Sequence, residues 1–224
     1  MADAMIRRLR RQSSRGDYAS MVRLAKALYA RGLNSRDVLR ACYGVDFPEE
    51  FFVIAEEFFA VAEECFDDYW GRMVRPRLSV EFTGQPWGLG VPPSRGGPVA
   101  APSLKDPVEK RIFACDRDLV PLMGPLSNGN RWSHSVFCYR LSQLRVGHST
   151  IFVIGNEAGR GSPVTFRSAS LLEALHAHHT EYLRVAEGKR NEPGDWKEVV
   201  LTEWELDELR AAIERVEELL TRPA

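Results

Sequence analysis

The chain has 224 residues, of which 44% are hydrophobic and 27% are charged, and its formal net charge at pH 7 is −1. This composition predicts an ordinary globular protein, and it excludes a small domain that depends on disulfides or a structural metal for its core. The four cysteines form no CxxC pair, no hydrophobic leader opens the sequence and no apolar run approaches the roughly 18 residues of a membrane span, so we expect a cytoplasmic protein with reduced thiols and no membrane contact.

Basic residues are concentrated at the start of the chain. Before residue 46, ten lysines and arginines stand against three aspartates. The ten are Arg7, Arg8, Arg10, Arg11, Arg15, Arg23, Lys26, Arg31, Arg36 and Arg40. We expect residues 1–16 to form a basic flexible tail or a short basic helix. Because this segment has no aromatic residue that could stack on bases, binding to nucleic acid is disfavoured.

Two amphipathic helices are predicted next. Residues 17–30 place apolar side chains at helical spacing, and Gly32 follows as a C-terminal stop signal. Ser35 is expected to cap a second helix that ends at Gly44. A short link, residues 45–48, then leads into a third helix with an unusual distribution of charge.

The third helix, residues 49–70, combines a wide apolar stripe with stacked carboxylates. Three successive heptads each open with a pair of carboxylates, and a fourth pair follows one turn later. Because a helix drifts by only about 20° per seven residues, we expect these side chains to form one continuous negative ridge. The eight residues are Glu49, Glu50, Glu56, Glu57, Glu63, Glu64, Asp67 and Asp68.

This acidic ridge has two interpretations. It is a solvated outer face of an aromatic-rich helix, or it is a docking surface for a basic protein. Like charges at i, i+4 and i, i+7 repel each other, and no Lys or Arg occurs between Asp46 and Asp68 to relieve the repulsion. The asymmetry favours a docking surface, so these eight carboxylates are the candidate partner-binding residues.

The middle of the chain alternates short apolar runs with turns. Residues 78–82 alternate as in a half-buried strand. The Gly/Pro-rich residues 84–107 predict a long irregular loop, anchored by Trp87, that is disordered or forms a mobile flap. Residues 111–115 are expected to be extended. Further strands, which turns join into a mostly antiparallel meander, are predicted at residues 119–123, 135–141, 150–154 and 164–166.

Two helices are predicted at the C-terminal end. Ser168 or Ser170 caps the first of them, and Thr202 opens a capping box for the last helix, which carries Trp204 on its apolar face. The order of helices, strands and helices predicts one α+β domain over residues 17–224. We expect a mostly antiparallel central sheet with flanking helices.

The candidates for chemistry are few. His176 and His179 lie one helical turn apart and could bind a metal, but a zinc site needs a third protein ligand that nothing nearby supplies. We therefore interpret them as solvent-facing and expect no metal or cofactor. Cys138 follows His134 closely but lies in an apolar strand, where a thiol is usually inert. Because GxGxxG, GxxxxGK and GxSxG are also absent, we expect no enzyme and no catalytic residues.

Residues 43–51, YGVDFPEEF, resemble the "YGv-lPeef" motif of the SUKH superfamily, which includes bacterial immunity proteins against polymorphic toxins. The order of later segments is also similar over about residues 35–185: an apolar strand with proline, a turn, two strands, a short strand and a Ser-capped helix. Residues 127–130 read SNGN where the family has a "GGD"-like turn, and residues 84–107 are an extra segment.

The resemblance implies a non-catalytic α+β domain that binds and neutralises a cognate bacterial toxin. Nuclease toxins tend to be basic where they grip phosphates, so the acidic ridge is the surface expected to bind such a partner. Two other classes stay open. One is a small metal-dependent enzyme that uses His176 and His179, and the other is a regulatory or scaffold protein that uses the basic N-terminal arm.

Overall fold

The structure is a computed structural model that describes residues 2–64, 78, 80–82, 84–95, 107–125, 135–155, 157–159, 161–190 and 201–222. Within these ranges a five-stranded antiparallel sheet packs against helices, which confirms the predicted α+β class. The elements are α1 (Ala2–Gln12), α2 (Tyr18–Tyr29), α3 (Ser35–Tyr43), α4 (Glu49–Glu64), β1 (Val80–Phe82), α5 (Gln85–Leu89), α6 (Pro107–Cys115), β2 (Leu119–Pro125), β3 (Ser135–Arg140), α7 (Leu141–Leu144), β4 (Ile151–Gly155), β5 (Thr165–Ser168), α8 (Leu171–Arg190) and α9 (Glu203–Thr221).

The N-terminal arm is a packed helix. Ile6 of α1 is buried in the main core. Residues 13–17 join α1 to α2, and Arg31, just after α2, forms an ion pair with Asp3 near the start of α1. The two helices therefore run antiparallel. Of the two alternatives for residues 1–16, the structure has the short basic helix and not the flexible tail.

The helix boundaries that follow agree with the sequence except at one cap. Gly32 (φ 81°) and Gly44 (φ 72°) adopt the left-handed conformation after α2 and α3, where a side chain would be strained. The N-cap of α3, however, is Asn34 and not Ser35, because the Asn34 side chain accepts a hydrogen bond from the Asp37 backbone N–H. Asn and Ser are comparable N-cap residues, so the sequence could not separate these neighbours.

The five strands pair in chain order, and each is antiparallel to its neighbour. Successive residues of β3 alternate between the two faces of the sheet. Phe137 and Tyr139 join a large core together with α2, α3, α4 and α8, whereas Val136 and Cys138 join a smaller cluster with α6. Both faces of the sheet are covered, and β2 is buried along its whole length.

Residues 111–115 were expected to be extended, and this prediction is wrong. They form the end of α6, whose Val108 and Ile112 are four residues apart and both buried against the sheet. The helical spacing begins before residue 111, so the short window that suggested a strand missed it.

The Gly/Pro-rich segment is more regular than predicted where the structure describes it. It contains the buried helix α5 and a 3-10 turn at Pro93–Arg95, while residues 96–106 lie outside the described residues. The indole of Trp87 is 4% exposed and stacks on the Phe51 ring with 4.0 Å between centroids. The predicted anchoring role of Trp87 is confirmed, and it ties α5 to α4.

The last two helices form an antiparallel hairpin. His176, near the start of α8, contacts Glu217, near the end of α9, and Glu187 contacts Arg210 in the opposite halves. The hairpin lies beside α4, because the start of α8 and the middle of α9 both contact α4 side chains.

The start of α9 is as predicted, but one side chain is not. Thr202 and Glu205 form both hydrogen bonds of the capping box. Trp204 was expected on the apolar face, yet it is 59% exposed. The buried face of α9 is instead made by Leu206, Leu209, Ala212, Val216 and Leu219.

Candidate protein-binding surface

Glu50 is not part of an exposed ridge. Its carboxylate accepts hydrogen bonds from the backbone N–H groups of Leu171 (2.9 Å) and Leu172 (3.4 Å) and from the Tyr139 hydroxyl (3.1 Å). It therefore satisfies the first two backbone N–H groups of α8 from a residue 121 positions away. The N-cap of α8 is Ser170, one of the two predicted residues, because its hydroxyl accepts a hydrogen bond from the Glu173 backbone N–H at 3.1 Å. Burial raises the pKa of Glu50, and these hydrogen bonds oppose that rise.

Two more carboxylates of α4 are paired with arginines of the same chain. One carboxylate oxygen of Glu57 accepts a hydrogen bond from Nε of Arg215 (3.0 Å), and the other accepts one from a terminal nitrogen of the same guanidinium. The two residues thus form a two-point ion pair between α4 and α9. Glu49 pairs with Arg36 at 2.6 Å. Glu56 is exposed and forms no ion pair with the described part of the chain.

The prediction of a continuous exposed ridge on α4 is therefore wrong for the residues that can be placed. Glu50 and Glu57 point towards neighbouring helices, because α4 packs against the core and lies beside α8 and α9. The side chains of Glu63 and Glu64, and Asp67 and Asp68, lie outside the described residues. Whether any of the eight carboxylates contacts a partner stays a prediction.

The exposed row of carboxylates lies on α9. This helix carries seven carboxylates and two arginines. Glu203, Asp207, Glu214 and Glu218 lie within about 60° of each other around the helix axis, opposite the buried face, and all four are exposed. We call these four residues the α9 acidic stripe. The α4 ridge was predicted from carboxylates that recur on one side of a helix, and the same kind of recurrence is visible in α9 at residues 203, 207, 214 and 218. The sequence therefore contained the signal, and our interpretation missed it.

Two arginines border the α9 acidic stripe and organise it. Arg210 pairs with Asp207 (2.8 Å) and Glu203 (3.4 Å), while Arg215 pairs with Glu218 as well as with Glu57 of α4. Glu214, in the middle of the stripe, is exposed and forms no ion pair with any described residue.

Arg215 links α9 to α4 through Glu57, which is the sequence neighbour of the exposed Glu56. Surface ion pairs such as those of Arg210 contribute little to stability and exchange readily. A basic partner could therefore engage these carboxylates without a large cost.

The two candidate metal-binding histidines have different environments. The His179 side chain is fully buried, and its Nε2 donates to the Leu78 carbonyl oxygen at 2.8 Å, so the expectation that it faces solvent is wrong. Burial, together with the neighbouring charge of His178, lowers the pKa of His179 from 6.5 to about 4. His176 is one-third exposed and contacts Glu217 at 2.9 Å. The described residues contain no group of three or more His, Cys, Asp or Glu that could hold a metal ion.

Cys138 is buried within β3, as the apolar strand predicted. Burial raises the pKa of its thiol well above the usual range, so the reactive thiolate is disfavoured. His134, its neighbour in sequence, lies outside the described residues.

One arginine of the basic N-terminal segment, Arg15, is largely buried. The Arg15 side chain is 11% exposed, donates to the carbonyl oxygens of Arg117 and Leu119, and lies 3.7 Å from the buried carboxylate of Glu109. Its guanidinium also faces the Phe113 ring at 5.1 Å. These partners are about a hundred residues away in sequence, so no local pattern indicates this role.

No family model, no curated protein and no solved structure matches this chain. The resemblance to the SUKH superfamily therefore stays a prediction. None of the described helices is long and apolar enough to cross a membrane.

Proposed function

We propose that this chain is a non-catalytic protein-binding domain that binds a basic protein partner through the α9 acidic stripe together with Glu56 of α4. The single observation that carries the proposal is the exposed, one-sided row of carboxylates on α9. The partner class that the SUKH resemblance implies is a bacterial toxin, which this chain would neutralise as an immunity protein.

The charge of the stripe suits a partner that normally binds phosphate. A nuclease presents Lys and Arg where it grips the nucleic-acid backbone, and a row of carboxylates can occupy that surface in place of phosphates. Such complementary charges increase the association rate and select the orientation of docking more than they increase affinity alone. Binding should therefore be strongest at low ionic strength.

The stripe is held in place by contacts that do not involve its outward face. The capping box at Thr202 fixes the start of α9, and Leu206 and Val216 anchor its buried side. The ion pair between Arg215 and Glu57 ties the second half of α9 to α4. A surface on a rigid element loses little conformational entropy on binding, which favours a docking role.

The test uses the purified product of the neighbouring gene, because an immunity gene lies beside the gene of its toxin. Calorimetry should detect binding that weakens as salt increases. The double substitution Glu56→Lys/Glu214→Lys should weaken binding by about tenfold or more and flatten the salt dependence, because it inverts two exposed charges that form no ion pair in the described structure.

The control is Glu157→Lys/Glu173→Lys, which makes the same change of charge at exposed positions outside α4 and α9. If the control weakens binding as much as the test variant, the effect is one of net charge and not of this surface. If neither the test variant nor the control variant changes the affinity, the proposal is contradicted.

A further inference from the structure

The chain also presents a positively charged surface. Arg7, Arg8 and Arg11 lie on the side of α1 that faces away from its buried Ile6, and all three are exposed. Arg23 and Lys26 are exposed on the outer side of α2, opposite its buried Leu24 and Leu28. We call these five residues, Arg7, Arg8, Arg11, Arg23 and Lys26, the α1–α2 cationic face.

The cationic face differs from the other basic residues of the N-terminal segment. Arg31, Arg36 and Arg40 are each paired with a carboxylate of the same chain. The five residues of the cationic face form no ion pair within the described ranges. Like charges such as Arg7 and Arg11, four residues apart on one helix, repel each other, so this surface is destabilising unless something negative covers it.

The face is held as a preformed surface. Ile6 packs into the core, and the ion pair between Asp3 and Arg31 closes the open end of the α1–α2 hairpin. At the connected end, Arg15 fastens the link between the helices to the start of β2 and to Glu109. The arginines of α1 are therefore presented on a fixed helix, which limits the entropy lost on binding.

The chain's own α9 acidic stripe has the complementary pattern. Arg7 and Arg11 are four residues apart, as are Glu214 and Glu218, so each pair spans about 6 Å along its helix. Two helices laid side by side would bring the two guanidinium groups against the two carboxylates, a geometry that favours Arg–carboxylate pairing. No ion pair joins the two surfaces within one copy among the described residues.

We propose that the α1–α2 cationic face of one copy binds the α9 acidic stripe of a second copy. The contact is head-to-tail, so each associated pair leaves one cationic face and one acidic stripe free, and larger species should form as concentration rises. Self-association goes beyond the proposed function, because it needs no partner other than a second copy of this chain. A basic partner that covers the acidic stripe would compete with self-association.

A nucleic acid is the other polyanion that the cationic face could meet. A second copy is the better fit, because α1 carries no aromatic residue for base stacking and the acidic stripe of the same molecule repels phosphates.

The experiment is sedimentation velocity of the full chain at about 50 mM and about 500 mM salt, where screening lengths differ roughly threefold. The wild type should associate in a concentration-dependent way at low salt and dissociate at high salt. Arg7→Glu/Arg11→Glu and Glu214→Arg/Glu218→Arg should each lower the association constant by about tenfold or more. An equimolar mixture of these two variants should associate again, because each supplies the surface that the other lacks.

The control for Arg7→Glu/Arg11→Glu is Arg145→Glu/Arg167→Glu, an equal change of charge at exposed positions elsewhere that should leave association unchanged. Circular dichroism confirms that each variant is folded. A wild type that remains monomeric at low salt, or a mixture that fails to associate, overturns the proposal. So does salt-dependent binding of a DNA duplex that requires Arg7 and Arg11 while the chain alone is a monomer. None of these results bears on partner binding by the acidic stripe, which is measured separately.

Discussion

The buried histidine of α8 should make the stability of the protein depend on pH. His179 is fully buried, and its Nε2–H donates to the Leu78 carbonyl oxygen. Burial, with the neighbouring His178, lowers its pKa from 6.5 to about 4. The unfolded chain therefore binds a proton at this residue at a higher pH than the folded protein does. Stability is fully present above about pH 6.5 and is lost as pH falls towards 4.

The magnitude follows from the gap between the two pKa values of His179. A gap of roughly 2.5 pH units corresponds to roughly 3 kcal/mol once both states are protonated. Between about pH 7.5 and about pH 5, roughly 2 kcal/mol of the unfolding free energy should be lost through this residue. Glu50 acts in the opposite direction, because its raised pKa makes the folded state gain relative stability as pH falls through it.

The assay is urea-induced unfolding at these two pH values for the wild type and for His179→Gln. The Gln side-chain amide can still donate to Leu78 but does not titrate, so the variant should lose roughly 2 kcal/mol less than the wild type over this range. His148→Gln, at an exposed position, is the control and should keep the wild-type pH dependence. Equal pH dependence of wild type and His179→Gln would refute the reasoning.

Three further predictions concern the contacts around the candidate surface and the sheet. A double-mutant cycle on Glu57→Ala and Arg215→Ala should give a coupling of about 1–3 kcal/mol, because this two-point pair is only 13% and 23% exposed. Thr202→Ala should lower the unfolding free energy by about 1 kcal/mol in urea titrations, because it removes the capping box of α9. The Cys138 thiol should resist alkylation by iodoacetamide until the protein unfolds, because burial keeps it protonated and inaccessible.

Each of these three has a matched control. The exposed pair of Glu181 and Arg184 should show no measurable coupling in the same cycle, so equal coupling at both pairs would contradict the role of burial. Thr180→Ala, at an exposed position inside α8, should be neutral or slightly stabilising. Mass spectrometry identifies the alkylated cysteine, and modification of Cys138 at the same rate in native and unfolded protein would contradict its assignment.

The order of strands could be predicted because each strand carries its own local signal. Alternation at residues 78–82 and the apolar runs at residues 119–123 and 150–154 coincide with β1, β2 and β4. The capping box at Thr202 is likewise contained within four residues. Signals of this kind survive folding, because their geometry depends on the backbone nearby and not on what packs against it.

The fate of individual charges could not be predicted, because it depends on residues far away in sequence. Glu50 accepts hydrogen bonds from the N-terminus of α8, and Glu57 forms an ion pair with Arg215, 158 positions later. Arg15 lies in the basic N-terminal segment but contacts Glu109 and donates a hydrogen bond to the start of β2. Helical spacing gave the side of α4 on which the carboxylates lie, but it could not say that another helix would cover that side.

The position of a helix in the fold explains where its charges become available for binding. α4 is flanked by the sheet, α5, α8 and α9, so an unpaired carboxylate on one of its covered sides would be partly desolvated at a cost of several kcal/mol. Hydrogen bonding at Glu50 and ion pairing at Glu57 remove that cost. α9 is buried on one face, so the carboxylates of its acidic stripe, on the opposite face, remain hydrated and need no partner for the protein to fold. A helix with charges on an outer, singly packed face can therefore retain a net charge at little cost in stability. This is why α9 provides the stronger candidate for contact with another protein, although α4 carries the more conspicuous sequence.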